Sequence, residues 1–98
     1  MLDFYLLADD QSMLSYPKEG KHKLLGSVYD QIFERLKVKK IIPERFDYYS
    51  DFRWSIALIQ QIRVNILNHP RSDSDVQSLL SLLDIANYHD SGLVAYAD

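Results

Sequence analysis

The sequence predicts an α+β domain, mainly helical, in which three amphipathic helices pack on a small sheet formed by the N- and C-terminal strands. Three observations lead there. Apolar residues recur at helical spacing in three stretches, beginning near residues 27, 50 and 72; short apolar runs occupy the two chain ends; and glycine, proline or serine punctuates the joins. An all-α three-helix domain is the alternative, reached if the end runs do not pair with each other. The 98 residues, 47% of them hydrophobic, suit one compact domain spanning 1–98, because two domains would each have too little interior to bury.

The first element is Leu2 to Ala8, too short for a typical helix and rich in leucine and aromatic residues, which reads as a strand buried on at least one face. From Asp9 to Gly26 the chain is polar and is broken by Pro17 and Gly20, so a connecting loop is expected, with Lys23-Leu24-Leu25 as a candidate extended piece. Ser27 is then placed to cap a helix that has Asp30 in its first turn. Tyr29, Ile32, Phe33 and Leu36 follow the i, i+3, i+4, i+7 pattern, and the helix runs to about Lys39. Ile41-Ile42-Pro43 ends it, since proline lacks an amide donor and biases the preceding residue away from helical geometry.

Ser50 is the expected start of the second helix, with Tyr49 and Trp54 positioned as a hydrophobic staple. Phe52, Ile56, Ile59, Ile62, Ile66 and Leu67 gather on one wide face of that helix, while Trp54, Ala57 and Val64 lie off it. Either the helix is packed on two sides or Trp54 is partly exposed to a partner. Asn68-His69-Pro70 stops it. Ser72 with Asp75 three residues later reads as a carboxylate version of a capping box at the start of the third helix. Val76, Leu79, Leu80, Leu83 and Ala86 give that helix its apolar face, and Ser91-Gly92 closes it. Leu93 to Ala97 has strand character, and its simplest partner is the first strand, because an unpaired strand leaves backbone groups without hydrogen bonds. Two strands alone are marginal, so the sheet must lean on the helices or gain strands from residues 20–25 or from a second copy in a homodimer.

Charge is unevenly spread along the chain. Residues 1–17 carry -3, residues 18–40 carry seven bases against three acids for +4, and residues 41–98 carry four arginines against eight acids for -4, which sums to the net -3. A single +4 segment in an acidic chain is a poor basis for phosphate-driven binding, so nucleic acid is not the expected partner and an accessory role through residues 18–40 ranks third. Lys37, Lys39 and Lys40 suit the last turn of a helix, where cations complement free carbonyls. The opening apolar run carries Asp3 and meets Asp9-Asp10 before a leader core is complete, and no apolar span reaches 18 residues. The expectation is a soluble cytoplasmic protein with no membrane partner.

Absent residue types narrow the chemistry. Without cysteine there is no disulfide framework, thiolate metal site or thiol nucleophile. Gly20, Gly26 and Gly92 are isolated, so no glycine-rich phosphate loop or nucleophile elbow exists, and no cofactor is implied. The histidines, His22, His69 and His89, stand apart from any nucleophile at a readable spacing. His89 and Asp90, with Asp9 and Asp10 brought near by pairing of the end strands, form the candidate cluster for a small ligand-binding or metal-dependent enzyme domain, although their spacing matches no metal motif, while Glu44, Asp47 and Asp51 offer carboxylates whose separation the sequence does not fix.

The densest stretch is residues 44–54, with five aromatics, three acids and two arginines. Tyr, Trp and Arg dominate binding energy at interfaces, so Arg45, Asp47, Tyr48, Arg53 and Trp54 are the candidate partner-binding residues, with Tyr48 and the two arginines expected to be the most exposed. The same composition also describes an aromatic core. The leading reading is a small non-enzymatic protein-binding domain, of inhibitor, immunity or adaptor type, using this aromatic and acidic surface.

Overall fold

A computed structural model describes residues 1–12 and 24–97. The expected loop around Pro17 and Gly20, with Lys18, Lys21, His22 and Lys23, lies outside the described residues, as does Asp98. Among the described residues the chain forms β1 (Leu2–Leu7), β2 (Gly26–Val28), α1 (Asp30–Val38), β3 (Phe52–Trp54), α2 (Ile56–Ile66), α3 (Ser74–Tyr88) and β4 (Gly92–Ala97). The predicted class holds: three helices pack on an antiparallel sheet whose central strands are the two chain ends. The all-α alternative is excluded.

The strand order is β2-β1-β4-β3. β1 and β4 pair antiparallel along their whole length, from Leu2 opposite Ala97 to Leu7 opposite Gly92. Two three-residue strands then complete the sheet, β2 on β1 and β3 on β4. The sheet thus gains two further strands from within the chain, and Leu25, in the stretch expected to supply one, donates its amide to the Phe4 carbonyl at 2.9 Å just before β2.

Both short strands correct the sequence reading. Ser27 caps no helix; its hydroxyl donates to the Asp3 carboxylate at 2.6 Å across the β1–β2 ladder, and β-branched Val28 is buried beside it. The helix therefore begins at Asp30, and Tyr29, expected on its apolar face, is its N-cap residue and largely exposed. Ser50 is likewise no cap. Phe52, Arg53 and Trp54 alternate with period two, placing both rings against the helices and the guanidinium on the other face of the sheet, so α2 starts later, at Ile56. Ser55 caps it by accepting from the Leu58 amide at 3.2 Å, and the Asp9 carboxylate accepts from the Ile56 amide at 3.1 Å. The third cap shifts by one residue, from Ser72 to Asp73, whose carboxylate accepts from the Asp75 and Val76 amides.

The core lies between the helices and one face of the sheet. Phe33 and Leu36 of α1, Ile59, Ile62 and Ile66 of α2, and Val76, Leu79, Leu83 and Ala86 of α3 close on Leu2, Phe4, Trp54, Leu93 and Ala95. Ile41 and Ile42, read only as the end of a helix, are fully buried core residues. On the opposite face Leu7, Val94 and Tyr96 form a second buried cluster with Tyr5, whose ring meets Tyr96 edge-on at 5.8 Å. Being buried on both faces, β4 is an unbroken apolar run rather than an alternating one.

The ends of α1 and α3 interlock electrostatically. Arg35 donates to both oxygens of Asp75, at 2.7 and 2.9 Å, and Lys39 bridges Asp73 at 2.6 Å and Asp75 at 3.1 Å. Cations in the last turn of one helix thereby meet acids in the first turn of another, which favours both dipoles. The guanidinium of Arg35 foremost, and Lys39 after it, hold Asp75 well below the usual carboxylate range, at about 2, against the opposing effect of burial.

Left-handed residues stop both of these helices. Lys40 has φ 64° after α1, with the Ile41 amide reaching back to the Leu36 carbonyl, and Asp90 has φ 49° after α3, with the Ser91 amide reaching the Ala86 carbonyl. Both sites have the geometry of a glycine cap. Lys40 is exposed and has no ion-pair partner among the described residues, so Lys40→Gly is expected to stabilise the fold by about 1 kcal/mol through relief of the left-handed strain. A thermal melt reads this as a rise of about 4–8 °C; an unchanged or lower midpoint would show that the turn carries no such strain.

Candidate functional site

The antiparallel register brings four strand ends together: the start of β1, the end of β2, the end of β4 and the start of β3. Acids cluster there because each of the adjoining turns uses a carboxylate to hold backbone. Asp3 accepts from Ser27, Asp30 accepts from the Gln31 amide at 2.8 Å at the start of α1, and Asp51 accepts from the Ala97 amide at 2.8 Å, tying the approach to β3 onto the end of β4. Asp47 closes the neighbouring turn, accepting from the Tyr49 amide at 3.2 Å and the Ser50 hydroxyl at 3.3 Å. Asp30, Asp47 and Asp51 are exposed.

Three tyrosines stand among these acids. Tyr48 turns inward, 8% exposed, against Phe33 at 6.0 Å, and its phenol is pushed above its ordinary value by burial first and by the neighbouring Asp30 charge second. Tyr49 turns outward, 76% exposed, with its ring edge-on to Tyr48 at 5.1 Å. Tyr29, 59% exposed, adjoins Asp30 at the head of α1. The sequence of contacts Tyr49, Tyr48, Asp30 and Tyr29 therefore places two exposed phenols on one acidic end of the sheet.

The five expected partner-binding residues do not share one surface. Arg45 and Asp47 are exposed, the former with its guanidinium 4.7 Å from the centre of the Phe46 ring. Tyr48, expected among the most exposed, is a core residue. Trp54 is 1% exposed, packed against Phe4, Phe46 and Phe52, because its strand directs it at the helices. Its indole N–H has no hydrogen-bond partner among the described residues. Arg53 clamps a turn on the sheet's other face, donating to the carbonyls of Gln11 at 2.6 Å and Ala8 at 2.9 Å. Residues missed by the sequence reading are Tyr29 and Tyr49, which it assigned to a helical face and to a staple; the signal that locates them is the strand on one side of each turn.

Pairing of the end strands brings residues 9–10 and 89–91 to the opposite end of the sheet, as expected. There, however, Asp9 holds the first amide of α2, Asp90 forms the left-handed stop of α3, and exposed His89 meets Tyr88 edge-on at 5.2 Å. Among the described residues no three acids or histidines gather closely enough to hold a metal ion. His69 is engaged through Nε2 with the Lys39 carbonyl at 3.0 Å. Of the four cations in 18–40 that are described, Arg35 and Lys39 pair with acids at the start of α3, Lys37 sits 4.0 Å from Glu34 and only Lys40 has no ion-pair partner among the described residues, so within them the cations form no open basic stripe. Among the described residues no helix is long and apolar enough to cross a membrane.

Comparison with protein-family models, with curated proteins and with solved structures found no match.

Proposed function

We propose that the chain is a non-enzymatic protein-binding domain whose contact surface is the tyrosine- and aspartate-bearing end of the sheet, centred on Tyr29, Asp30, Asp47 and Tyr49. The supporting observation is the convergence there of two largely exposed tyrosines with Asp3, Asp30, Asp47 and Asp51. Tyrosine offers a large, stiff contact area with a polar tip, and such residues concentrate binding energy at interfaces. The turns that carry these side chains are held by the carboxylates' own hydrogen bonds, so little ordering remains to be done on binding. The charge selects a partner with a basic surface, steering its approach and disfavouring acidic competitors. An inhibitor or immunity-type role, in which carboxylates face a basic active site, and an adaptor role both fit this chemistry.

The double variant Tyr29→Ala with Tyr49→Ala tests the surface against a partner retained by the wild-type chain. Two hot-spot rings are worth on the order of 4 kcal/mol together, so affinity should fall by about a thousandfold while the melting midpoint stays near wild type, both rings being exposed. Unchanged affinity in a folded double variant would remove this end of the sheet from the interface.

A further inference from the structure

A second feature lies on the helical side and uses none of the residues of the acidic end. The C-terminal half of α2, the turn at 69–71 and the middle of α3 enclose a groove of about 330 Å³, within the range of small-molecule sites, about 300–1,000 Å³. Its apolar wall is Val64, Leu67 and Leu80, and two of these are unusually open to solvent, Val64 at 55% and Leu67 at 73%. Among the described residues the charged ones lining it are both arginines, Arg63 and Arg71, and no carboxylate lines it.

The two arginines differ. Arg63 is held by Asp84 on the neighbouring helix, which fixes its position, whereas the Arg71 side chain has no partner among the described residues and retains its donors for a ligand. At the carboxyl end of α2 the Val64, Asn65 and Ile66 carbonyls are already engaged, accepting from the Leu67, Asn68 and His69 amides. An apolar wall beside an unpaired guanidinium suits a ligand with a hydrocarbon body and a single anionic head.

We infer that this groove binds a small amphipathic carboxylate, its hydrocarbon against Val64, Leu67 and Leu80 and its carboxylate on Arg71. The anion fixes the ligand's direction. The body supplies most of the contact, so neither acetate nor a cation of the same length substitutes for it.

The test is an amide-resonance titration of the full chain with octanoate, 1-octanol, octylammonium and acetate. Octanoate should shift residues 60–71 and the middle of α3 saturably, with octanol weaker and octylammonium and acetate without effect. Arg71→Gln, an exposed change that leaves the fold intact, should weaken octanoate about fivefold, the effect of one partly exposed charge pair, and leave octanol unchanged. Leu67→Asp should abolish the octanoate shifts at this site. Equal binding of octanoate and octylammonium, shifts confined to other parts of the chain, absence of saturable shifts, or an Arg71→Gln variant that binds octanoate as wild type does would each overturn the assignment.

Discussion

Gly92→Ala is expected to destabilise the domain by about 3 kcal/mol, the upper end of the usual overpacking range. A Cβ at this position would lie 2.5 Å from the Trp54 carbonyl oxygen, 2.9 Å from the Leu7 carbonyl oxygen and 3.0 Å from the Asp9 carboxylate. The first two obstacles are backbone on the two strands flanking β4, so relief requires moving β1 or β3 rather than a side chain. Because β4 is a central strand, that displacement reaches both its ladders. A melt should show a fall of about 12–24 °C, at 4–8 °C per kcal/mol for a domain of this size. Gly26→Ala is the internal comparison: its Cβ meets the end of the Leu82 side chain at 3.0 Å, which can rotate away, so its cost should be well below that of Gly92→Ala. Similar midpoints for the two variants would contradict the crowding at Gly92.

The second large effect concerns Asp75. Asp75→Asn removes the buried charge on which Arg35 and Lys39 converge and should cost about 2 kcal/mol, from a carboxyl lowered from 3.8 to about 2 at roughly 1.4 kcal/mol per unit. The sign sets the pH dependence. A carboxyl that ionises more readily folded than unfolded stabilises the fold above its unfolded value and loses that contribution as pH falls through its folded value. Wild type and Asp75→Asn should therefore differ fully at pH 5–7, and the gap should close between about pH 4 and pH 2. Lys39 holds Asp73 low in the same direction, so the wild type should show a second acid-sensitive contribution that the variant retains. A difference between the two proteins that persists undiminished at pH 2 would exclude the ion pair as its source.

The parts of this fold legible in the sequence are those whose signal is local. Leu2–Leu7 and Gly92–Ala97 are apolar runs too short for helices, and the apolar faces of α1 and α3 follow a plain helical spacing. β2 and β3 are three residues each and exist because of ladders formed with distant strands, so no local window specifies them. At β3 the periodicities collide: Phe52, Ile56 and Ile59 are helically spaced, while Phe52 and Trp54 satisfy the alternation of a strand. Pairing with β4 decides between them. The candidate site suffered from the same ambiguity. Aromatic richness in 44–54 was visible, but which ring points outward depends on one strand boundary and one turn, which put Trp54 and Tyr48 in the core and Tyr49 on the surface. Asp30, Asp47 and Asp51 are brought to one end of the sheet only by its register.

A photoreactive amino acid placed at position 49, compared with the same group at position 38 on the exposed side of α1, tests the proposed binding surface most directly in cells of the source organism. The account expects a discrete adduct with one basic protein from position 49, none from position 38, and loss of that adduct when Asp47→Lys reverses the neighbouring charge. No adduct from position 49, or the same adducts from both positions, would contradict it.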